Sequence, residues 1–308
     1  MSSTVGRLAA IDVGSNTILL TIAEADPDHG LSIVEEAEDQ PRLGAGLGQT
    51  GRLQEDAIQR ALQALTRMRD ACRRLDVRRT GAVATAAVRE AANGGEFVQR
   101  VRELDIPLRV ISPKAEAALS YRSAAYRFGR EGRMLVADIG GGSLELIGAA
   151  GGTVALTLSL PLGAVRLTEL RISKEQLRSH IHQDLVAAIS GDQWRGARVI
   201  GSGGTFATVA SMALARRGEN RDGIHGLTIG GDEVQQLLEM VARMSLEELR
   251  QMPGLRPERA DIIAAGLAVV VELLSAVHAD SVTVSAFGLR DGLLLEMSGL
   301  AQSRANSQ

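Results

Sequence analysis

The chain has 308 residues, of which 45% are hydrophobic and 23% charged, values typical of a soluble globular protein with about two domains. A net charge of −3 and an aromatic content of 2% argue against a DNA- or RNA-binding protein, because they supply neither general attraction nor base-stacking surface. The single cysteine, Cys72, excludes an internal disulfide and suits a reducing compartment. Because Asp12, Gly14 and Asn16 interrupt the apolar N-terminal stretch, we expect no signal peptide, no membrane partner and a cytoplasmic location.

The first half of the chain predicts an α/β unit. Short strands are expected at 8–11, 18–23 and 31–34, with a turn at 26–30 and a glycine-rich loop at 43–51. Apolar residues recur at helical spacing from Ile58 to Leu75 and predict a long helix. The elements expected after it are a strand at 80–85, a helix at 96–104, a strand at 108–111 and a helix from Pro113 to about Phe128.

The pattern then starts again. An apolar run at 134–137 ends at Asp138, as the first run ends at Asp12, 126 residues earlier. The strands expected after Asp138 lie at 144–148, 153–160, 199–200 and 282–284. This repeat predicts two duplicated α/β domains with mixed sheets flanking a central cleft. We place the boundary in the polar stretch 129–132, which gives domains 1–129 and 130–308, with a last helix at about 288–303 packing back on the first domain.

Glycine-rich turns follow both of these apolar runs. Their candidate phosphate-binding residues are Gly14, Ser15, Asn16, Thr17, Gly140, Gly141, Gly142 and Ser143. Backbone amides that converge in such a turn can bind phosphate oxygens, although each turn could also be a plain hairpin with a polar tip. A third glycine-rich loop, 201–205, precedes an expected helix at 206–213. Its residues Gly203, Gly204 and Thr205 are either a further anion site or a tight strand-to-helix turn.

Several charged residues have two interpretations from the sequence alone. Asp12 and Asp138 either cap turns or hold Mg²⁺ at the ends of strands. Glu145 alternates with two leucines in a strand and faces either solvent or the site. Glu116, in the first turn of a helix, either favours the helix dipole or orients and deprotonates a water. Arg89 is either a surface arginine or a clamp for phosphate oxygens.

Taken together and in this order, the motifs resemble those of the exopolyphosphatase/guanosine pentaphosphatase (Ppx/GppA phosphatase) family. That family has the duplicated actin-like ATPase (ribonuclease H-like) fold. The matching segments are Asp12-Val13-Gly14-Ser15-Asn16-Thr17, Thr85 to Ala91, Ile111-Ser112 leading to Glu116-Ala117, Asp138 to Glu145, Leu162 to Leu167, Gly201 to Thr205, Arg259-Ala260-Asp261, Ala265-Gly266 and Gly288-Leu289-Arg290-Asp291-Gly292.

The resemblance implies a role for each matching residue. Glu116 matches the catalytic glutamate, and Asp138 and Glu145 match carboxylates that hold Mg²⁺ or another divalent cation such as Mn²⁺. Asp12, Arg89 and the residues of the two glycine turns match phosphate-binding positions. It also implies the short two-domain form of the family and a homodimer. Two departures are Ala115, where members often have a second carboxylate, and Leu144, where they usually have threonine.

We therefore expect an exopolyphosphatase that hydrolyses the terminal phosphoanhydride of inorganic polyphosphate. The alternative is hydrolysis of guanosine pentaphosphate to the tetraphosphate, which the motifs do not separate from the first. A sugar or acetate kinase would need a nucleotide site and an acceptor. A non-catalytic sensor of polyphosphate or an alarmone would bind without turnover.

Overall fold

The computed structural model describes residues 6–26, 29–189, 192–220 and 223–300. They form two compact units: the described residues of Met1–Arg127 with those of Leu289–Gln308, and those of Phe128–Gly288. Each unit contains a mixed β-sheet with helices packed on it. The predicted duplicated α/β fold class is therefore confirmed.

The sheet of the first unit has five strands. Strands β1 to β5 span Gly6–Val13, Ile18–Asp26, Gly30–Asp39, Arg79–Ala84 and Leu108–Val110. Their order is β3-β2-β1-β4-β5, with β1, β2 and β3 antiparallel and β4 and β5 parallel to β1. Alternate residues of β1 enter two different cores, Ala9 and Ile11 on one face and Leu8 and Ala10 on the other. The middle of β1, Leu8 to Ile11, is a continuous apolar run because both of its faces are covered.

Helices α1 to α5 of this unit span Leu47–Thr50, Glu55–Arg74, Ala86–Glu90, Gly94–Arg102 and Pro113–Phe128. Three of these five helices, α2, α4 and α5, lie close to predicted ranges, whereas α1 and α3 were not predicted. Ile58, Leu65 and Cys72 are buried along one face of α2, as the spacing predicted. The predicted loop at 43–51 is wrong in part, because α1 forms one helical turn within it. Of the predicted turn at 26–30, residues 27 and 28 lie outside the described residues.

The sheet of the second unit has six strands. Strands β6 to β11 span Arg133–Ile139, Leu144–Ala150, Thr153–Leu160, Arg198–Ser202, Thr228–Gly230 and Ser281–Val284. The order β10-β11-β9-β6-β7-β8 repeats the pairings of the first sheet, with β6, β7, β8, β9 and β11 in the places of β1 to β5. Strand β10 is an addition at the edge, antiparallel to β11. This shared order is the structural form of the sequence repeat.

One face of the second sheet carries the main core of its unit. Helices α6 to α11 span Ala164–Glu169, Lys174–Ala188, Gly203–Arg217, Gly231–Val241, Leu246–Arg250 and Ile263–Ala276. Helix α11 is almost wholly buried and packs against α7 and α9. The predicted loop at 201–205 is wrong: Gly201 and Ser202 end β9, and α8 begins at Gly203 with no residue between. None of the helices in the described ranges is both long and apolar enough to cross a membrane.

The last helix, α12 at Leu289–Ser298, belongs to the first unit. Its leucines join Leu8 and Ala10 in one core cluster. The guanidinium of Arg290 donates to the carbonyl oxygen of Leu20 at 2.9 Å, and Asp291 accepts from Ser123 on α5 at 2.9 Å. A Cβ at Gly292 would lie 2.0 Å from the carbonyl oxygen of Leu119, so only glycine allows this approach of α12 to α5. The Gly-Leu-Arg-Asp-Gly motif thus fixes α12 in place.

Candidate active site

The turn after β1 is closed by its own backbone. The amide of Gly14 donates to the carbonyl oxygen of Thr17 at 3.0 Å, and Ser15, Asn16 and Thr17 are all buried. The carbonyl oxygens of Ser15 and Asn16 accept from the amides of Gly44 (2.7 Å) and Arg42 (3.1 Å). Because this segment after β3 takes the carbonyl groups, the turn is held from outside in one conformation. Sequence reasoning missed Arg42, whose backbone φ of 54° belongs to the left-handed region.

Asn16 has an unusual environment within this turn. Its side-chain nitrogen donates to Oγ1 of Thr17 at 3.3 Å. Among the described residues no donor reaches its Oδ1, although only 5% of the residue is exposed. A buried polar atom without a partner costs about 1–3 kcal/mol, so native proteins seldom keep one without a ligand or water. Oδ1 of Asn16 is an acceptor, so it fits an atom that a donor such as a bound water completes.

Arg89 and Glu116 form an ion pair within the first unit. Nη1 of Arg89 donates to Oε2 of Glu116 at 3.1 Å and to the carbonyl oxygen of Ile111 at 3.0 Å. Glu116 is 7% exposed, and Ser112 caps the start of its helix by accepting the amide of Ala115 at 3.2 Å. The two predicted residues thus meet, although 27 positions separate them in the sequence. The ion pair fixes the orientation of the Glu116 carboxylate.

The chemistry-bearing residues of the first unit share one edge of its sheet. Strands β1, β4 and β5 are parallel, so their carboxyl ends lie together. The turn at 14–17 follows β1, Arg89 lies on α3 after β4, and Glu116 lies on α5 after β5. In open α/β sheets this is the edge at which ligands bind.

The turn after β6 repeats the turn after β1. The amide of Gly140 donates to the carbonyl oxygen of Ser143 at 2.9 Å. The carbonyl oxygens of Gly140 and Gly141 accept amides from the start of α6, and that of Gly142 accepts Nε of Arg166 at 2.8 Å. A Cβ at Gly163 would lie 2.3 Å from the backbone of Gly142, so α6 packs directly on the turn.

This bracing leaves a row of amides without an acceptor. Within the described ranges no acceptor pairs with the amides of Gly141, Gly142 and Ser143. Their carbonyl groups are mostly bonded to α6, so the peptide planes are fixed. Successive amides of this kind form an anion-binding nest. The phosphate cradle at 140–143 stays a prediction, and these three amides are the groups that it would use.

Two carboxylates lie opposite each other on neighbouring strands of the second sheet. Asp138 on β6 and Glu145 on β7 are partners in the antiparallel register. Both point away from the core face, which holds Ile139, Leu144 and Leu146. Glu145 is 2% exposed, so of its two interpretations the solvent-facing one is wrong. The departure at Leu144 is explained, because that side chain belongs to the core and not to the carboxylate face.

The start of α8 lies against Asp138. Gly203 has a φ of +86°, and a Cβ there would lie 2.4 Å from Oδ1 of Asp138. Gly204 contacts the guanidinium of Arg259, which a Cβ would meet at 2.1 Å. Thr205 packs against Gly266. The three residues predicted as a further anion site therefore form the first helical turn, and Gly203 makes room for the carboxylate.

The donor set of Asp138 and Glu145 fits a hard divalent cation. Two carboxylates that face each other repel unless a cation or proton lies between them. Among the described residues no group of three or more His, Cys, Asp or Glu side chains could hold a metal ion. A pair is sufficient for Mg²⁺, which usually keeps several waters and takes phosphate oxygens as ligands. The histidines contribute nothing similar: His182, for example, pairs with Glu272 on α11.

Comparison with known proteins places the chain in a family. The model of the Ppx/GppA phosphatase family matches residues 21–300. A solved Ppx/GppA family member from Aquifex aeolicus is 30% identical with a TM-score of 0.80, and the match covers 98% of this chain and 99% of that one. An exopolyphosphatase from Cytophaga hutchinsonii is 25% identical with a TM-score of 0.87, covering 95% and 98%. An exopolyphosphatase-like protein is 27% identical with a TM-score of 0.86, covering 95% and 97%. The family match spans most of the sequence, and the chain belongs to the Ppx/GppA phosphatase family.

Proposed function

We propose that this phosphatase hydrolyses the terminal phosphoanhydride of inorganic polyphosphate and releases orthophosphate. The observation that carries the proposal is the facing pair of Asp138, which is partly buried, and Glu145, which is buried, beside the three amides of Gly141, Gly142 and Ser143. At this edge of the sheet the carboxylates can bind a cation and the amides can bind phosphate oxygens. Such a combination suits a substrate of high negative charge. The similarity to an exopolyphosphatase of nearly the same length supports this choice of substrate.

The two glycine turns would hold the phosphate oxygens. In the second unit the amides of 141–143 would donate to the anion. In the first unit the turn at 14–17 would offer the hydroxyl groups of Ser15 and Thr17 and the second side-chain N–H of Asn16, whose other N–H donates to Thr17. Asp138 and Glu145 would hold Mg²⁺ or Mn²⁺, which when bound neutralises charge on the phosphoryl oxygens. Asp12 contributes a carboxylate at the start of the first turn. Phosphoryl transfer depends chiefly on such positioning and charge neutralisation.

Glu116 would act on the attacking water. Its carboxylate accepts a proton as the water oxygen bonds to phosphorus and the bridging P–O bond breaks, so the electron pair leaves with the shortened chain. Arg89 holds the carboxylate in place through the 3.1 Å contact. We therefore assign Arg89 a positioning role in addition to any contact with phosphate. The absence of a second carboxylate at position 115 leaves this pair intact, since Ala115 packs toward the core.

The test is phosphate release from polyphosphate with and without Mg²⁺ or Mn²⁺. A Glu116→Ala variant should lose about 10²–10⁴-fold in kcat, the usual contribution of a positioned base. Glu96→Ala is the matched control, because Glu96 also lies in the first turn of a helix but is exposed. A Glu116→Ala enzyme with wild-type turnover would remove the mechanism.

A second candidate substrate is guanosine pentaphosphate, because the family that matches this chain includes both activities in its name. The same residues would cleave the same kind of bond, so the comparison of kcat/KM on long-chain polyphosphate and on the guanine nucleotide decides between them. A sensor without catalysis predicts tight binding by calorimetry and no metal-dependent turnover. An acceptor-dependent consumption of ATP would instead indicate a kinase.

We also propose a homodimer that acts in the cytoplasm. The single cysteine suits a reducing compartment, and the homodimer follows from the family resemblance. Light scattering after size exclusion measures the oligomeric state, and cell fractionation measures the location.

A further inference from the structure

Four polar side chains lie in register across the second sheet. From β9 to β8 they are Ser202, Asp138, Glu145 and Ser159, each the register partner of the next. We call these four residues the carboxylate row. A register of this kind places the side chains on one face of the sheet at neighbouring positions.

Each serine in the carboxylate row donates to the carboxylate beside it. Oγ of Ser202 donates to Oδ2 of Asp138 at 3.0 Å, and Oγ of Ser159 donates to Oε1 of Glu145 at 3.0 Å. Both serines lie on the outer side of the pair, so each hydroxyl binds one oxygen of its carboxylate from outside. A carboxylate held at one oxygen loses much of its rotational freedom.

The corresponding row of the first unit lacks this arrangement. There Asp12 has Val83 and Leu19 as register partners, and Leu19 is followed by Glu38. The turn that follows Asp12 has the same closing hydrogen bond as the turn that follows Asp138. The flanking hydroxyl groups are therefore not needed to build the turn, and they occur where two carboxylates are adjacent.

We propose that Ser159 and Ser202 are positioning residues that orient Glu145 and Asp138 for a divalent cation and thereby set the affinity of the site. The inference rests on the proposed metal site of this phosphatase. Hydrogen-bond donors to metal-binding carboxylates typically account for about 10–100-fold in metal affinity. Neither serine needs to touch the cation or the substrate for this effect.

The experiment measures Mn²⁺ binding to the whole chain without substrate, by electron paramagnetic resonance. Valine and threonine have nearly the same shape, so Ser159→Val and Ser159→Thr differ mainly by the hydroxyl group, as do Ser202→Val and Ser202→Thr. We expect about 10–100-fold weaker Kd for each valine variant and a Kd near wild type for each threonine variant. Ser123→Ala is the matched control, since Ser123 is a buried serine that donates to Asp291 in the first unit. Its Mn²⁺ affinity should be unchanged.

Two results would overturn the inference in distinguishable ways. Valine variants that unfold at a lower denaturant concentration but bind Mn²⁺ like wild type would show that the serines only satisfy the hydrogen-bonding needs of the two carboxylates. A wild-type protein that binds no Mn²⁺ would remove the metal site itself, and with it this role. If a valine variant fails to fold, Ser159→Ala and Ser202→Ala provide the same comparison with a smaller change of shape. Rescue by threonine is the result that a purely packing role does not predict.

Discussion

The two units build the same turn and place different side chains beside it. In both, an aspartate is the second-last residue of a strand. The amide of the glycine two residues later donates to the carbonyl oxygen of the third residue after that glycine and so closes a turn. The residue opposite the aspartate is Leu19 in the first unit and Glu145 in the second. Both units therefore have the same turn backbone, but only the second unit has a second carboxylate beside the aspartate. This difference separates the proposed anion site, which both turns could form, from the proposed cation site, which needs the second carboxylate.

The hydrogen bonds that hold the two turns from outside also differ between the units. In the first unit two amides from an irregular segment, those of Arg42 and Gly44, hold the turn. In the second unit the start of α6 holds it with three amides and the side chain of Arg166. The second turn is thus fixed more completely, as suits a turn that must keep its amides aligned beside two repelling carboxylates.

The largest expected effect comes from making the carboxylate row resemble the corresponding row of the first unit. Glu145→Leu replaces the carboxylate by the residue that occupies the corresponding place in the first unit. We expect loss of Mn²⁺ binding and a fall in turnover of about 10²-fold or more, since a metal ion contributes several kcal/mol to such a reaction. Glu38→Leu, an exposed change beside Leu19 in the first row, is the control and should leave both measurements unchanged.

A smaller effect is expected where a helix begins beside the aspartate. Gly203→Ala places a methyl group 2.4 Å from Oδ1 of Asp138, at a φ of +86° that costs alanine about 1–2 kcal/mol. Displacement of the carboxylate should weaken Mn²⁺ binding by about tenfold or more. Gly218→Ala at the end of α8, also at positive φ but with open space around it, controls for backbone strain alone. Equal Mn²⁺ affinity in the two variants would contradict the steric argument.

Two matched substitutions, one beside each turn, compare how tightly the two turns are held. A Cβ at Gly163 meets backbone atoms at 2.3 Å, whereas one at Gly44 meets the Cβ of Ser15 at 2.9 Å. Gly163→Ala should therefore cost about 1–3 kcal/mol in the free energy of unfolding, and Gly44→Ala less. Chemical denaturation measures both values. An equal or reversed order would mean that the second turn is not the more tightly held.

The smallest expected effect concerns an ion pair between α5 and α12 in the first unit. Arg122 on α5 pairs with Glu296 on α12 and lowers the pKa of that carboxyl below its ordinary value of 4.5. Because the folded state lowers this pKa, the pair stabilises the protein above about pH 4.5 and the contribution disappears as pH falls through the folded pKa. Glu296→Gln should cost well under about 1 kcal/mol at pH 7, since both side chains are partly exposed. Urea denaturation at pH 7 and at acidic pH should show the difference only at pH 7.

The sequence predicted most elements that have a strong local signal. Proline marks the start of α5, and apolar runs mark β1 and β6. It missed β10, because three residues carry no alternation, and it delayed the start of α8, because glycines resemble a loop. The predicted catalytic, metal-binding and phosphate-binding roles remain predictions.

Contacts between distant residues could not be predicted in the same way. The pairing of Arg89 with Glu116, and the serines of the carboxylate row, depend on strand register and helix placement, which a single sequence does not specify. Glu145 illustrates the limit: alternation placed it opposite the leucines, but only the covered face of the sheet shows that it is buried.

The position of α12 has a consequence for synthesis of the chain. The first unit begins at the N-terminus but needs Leu293, Leu294 and Leu295 to complete one of its cores. The second unit is one continuous stretch that ends before α12. On the ribosome, where segments emerge from the N-terminus onward, the second unit can be complete while the first still waits for its last helix. The unit whose translation begins first is therefore the last to have all of its core residues synthesised.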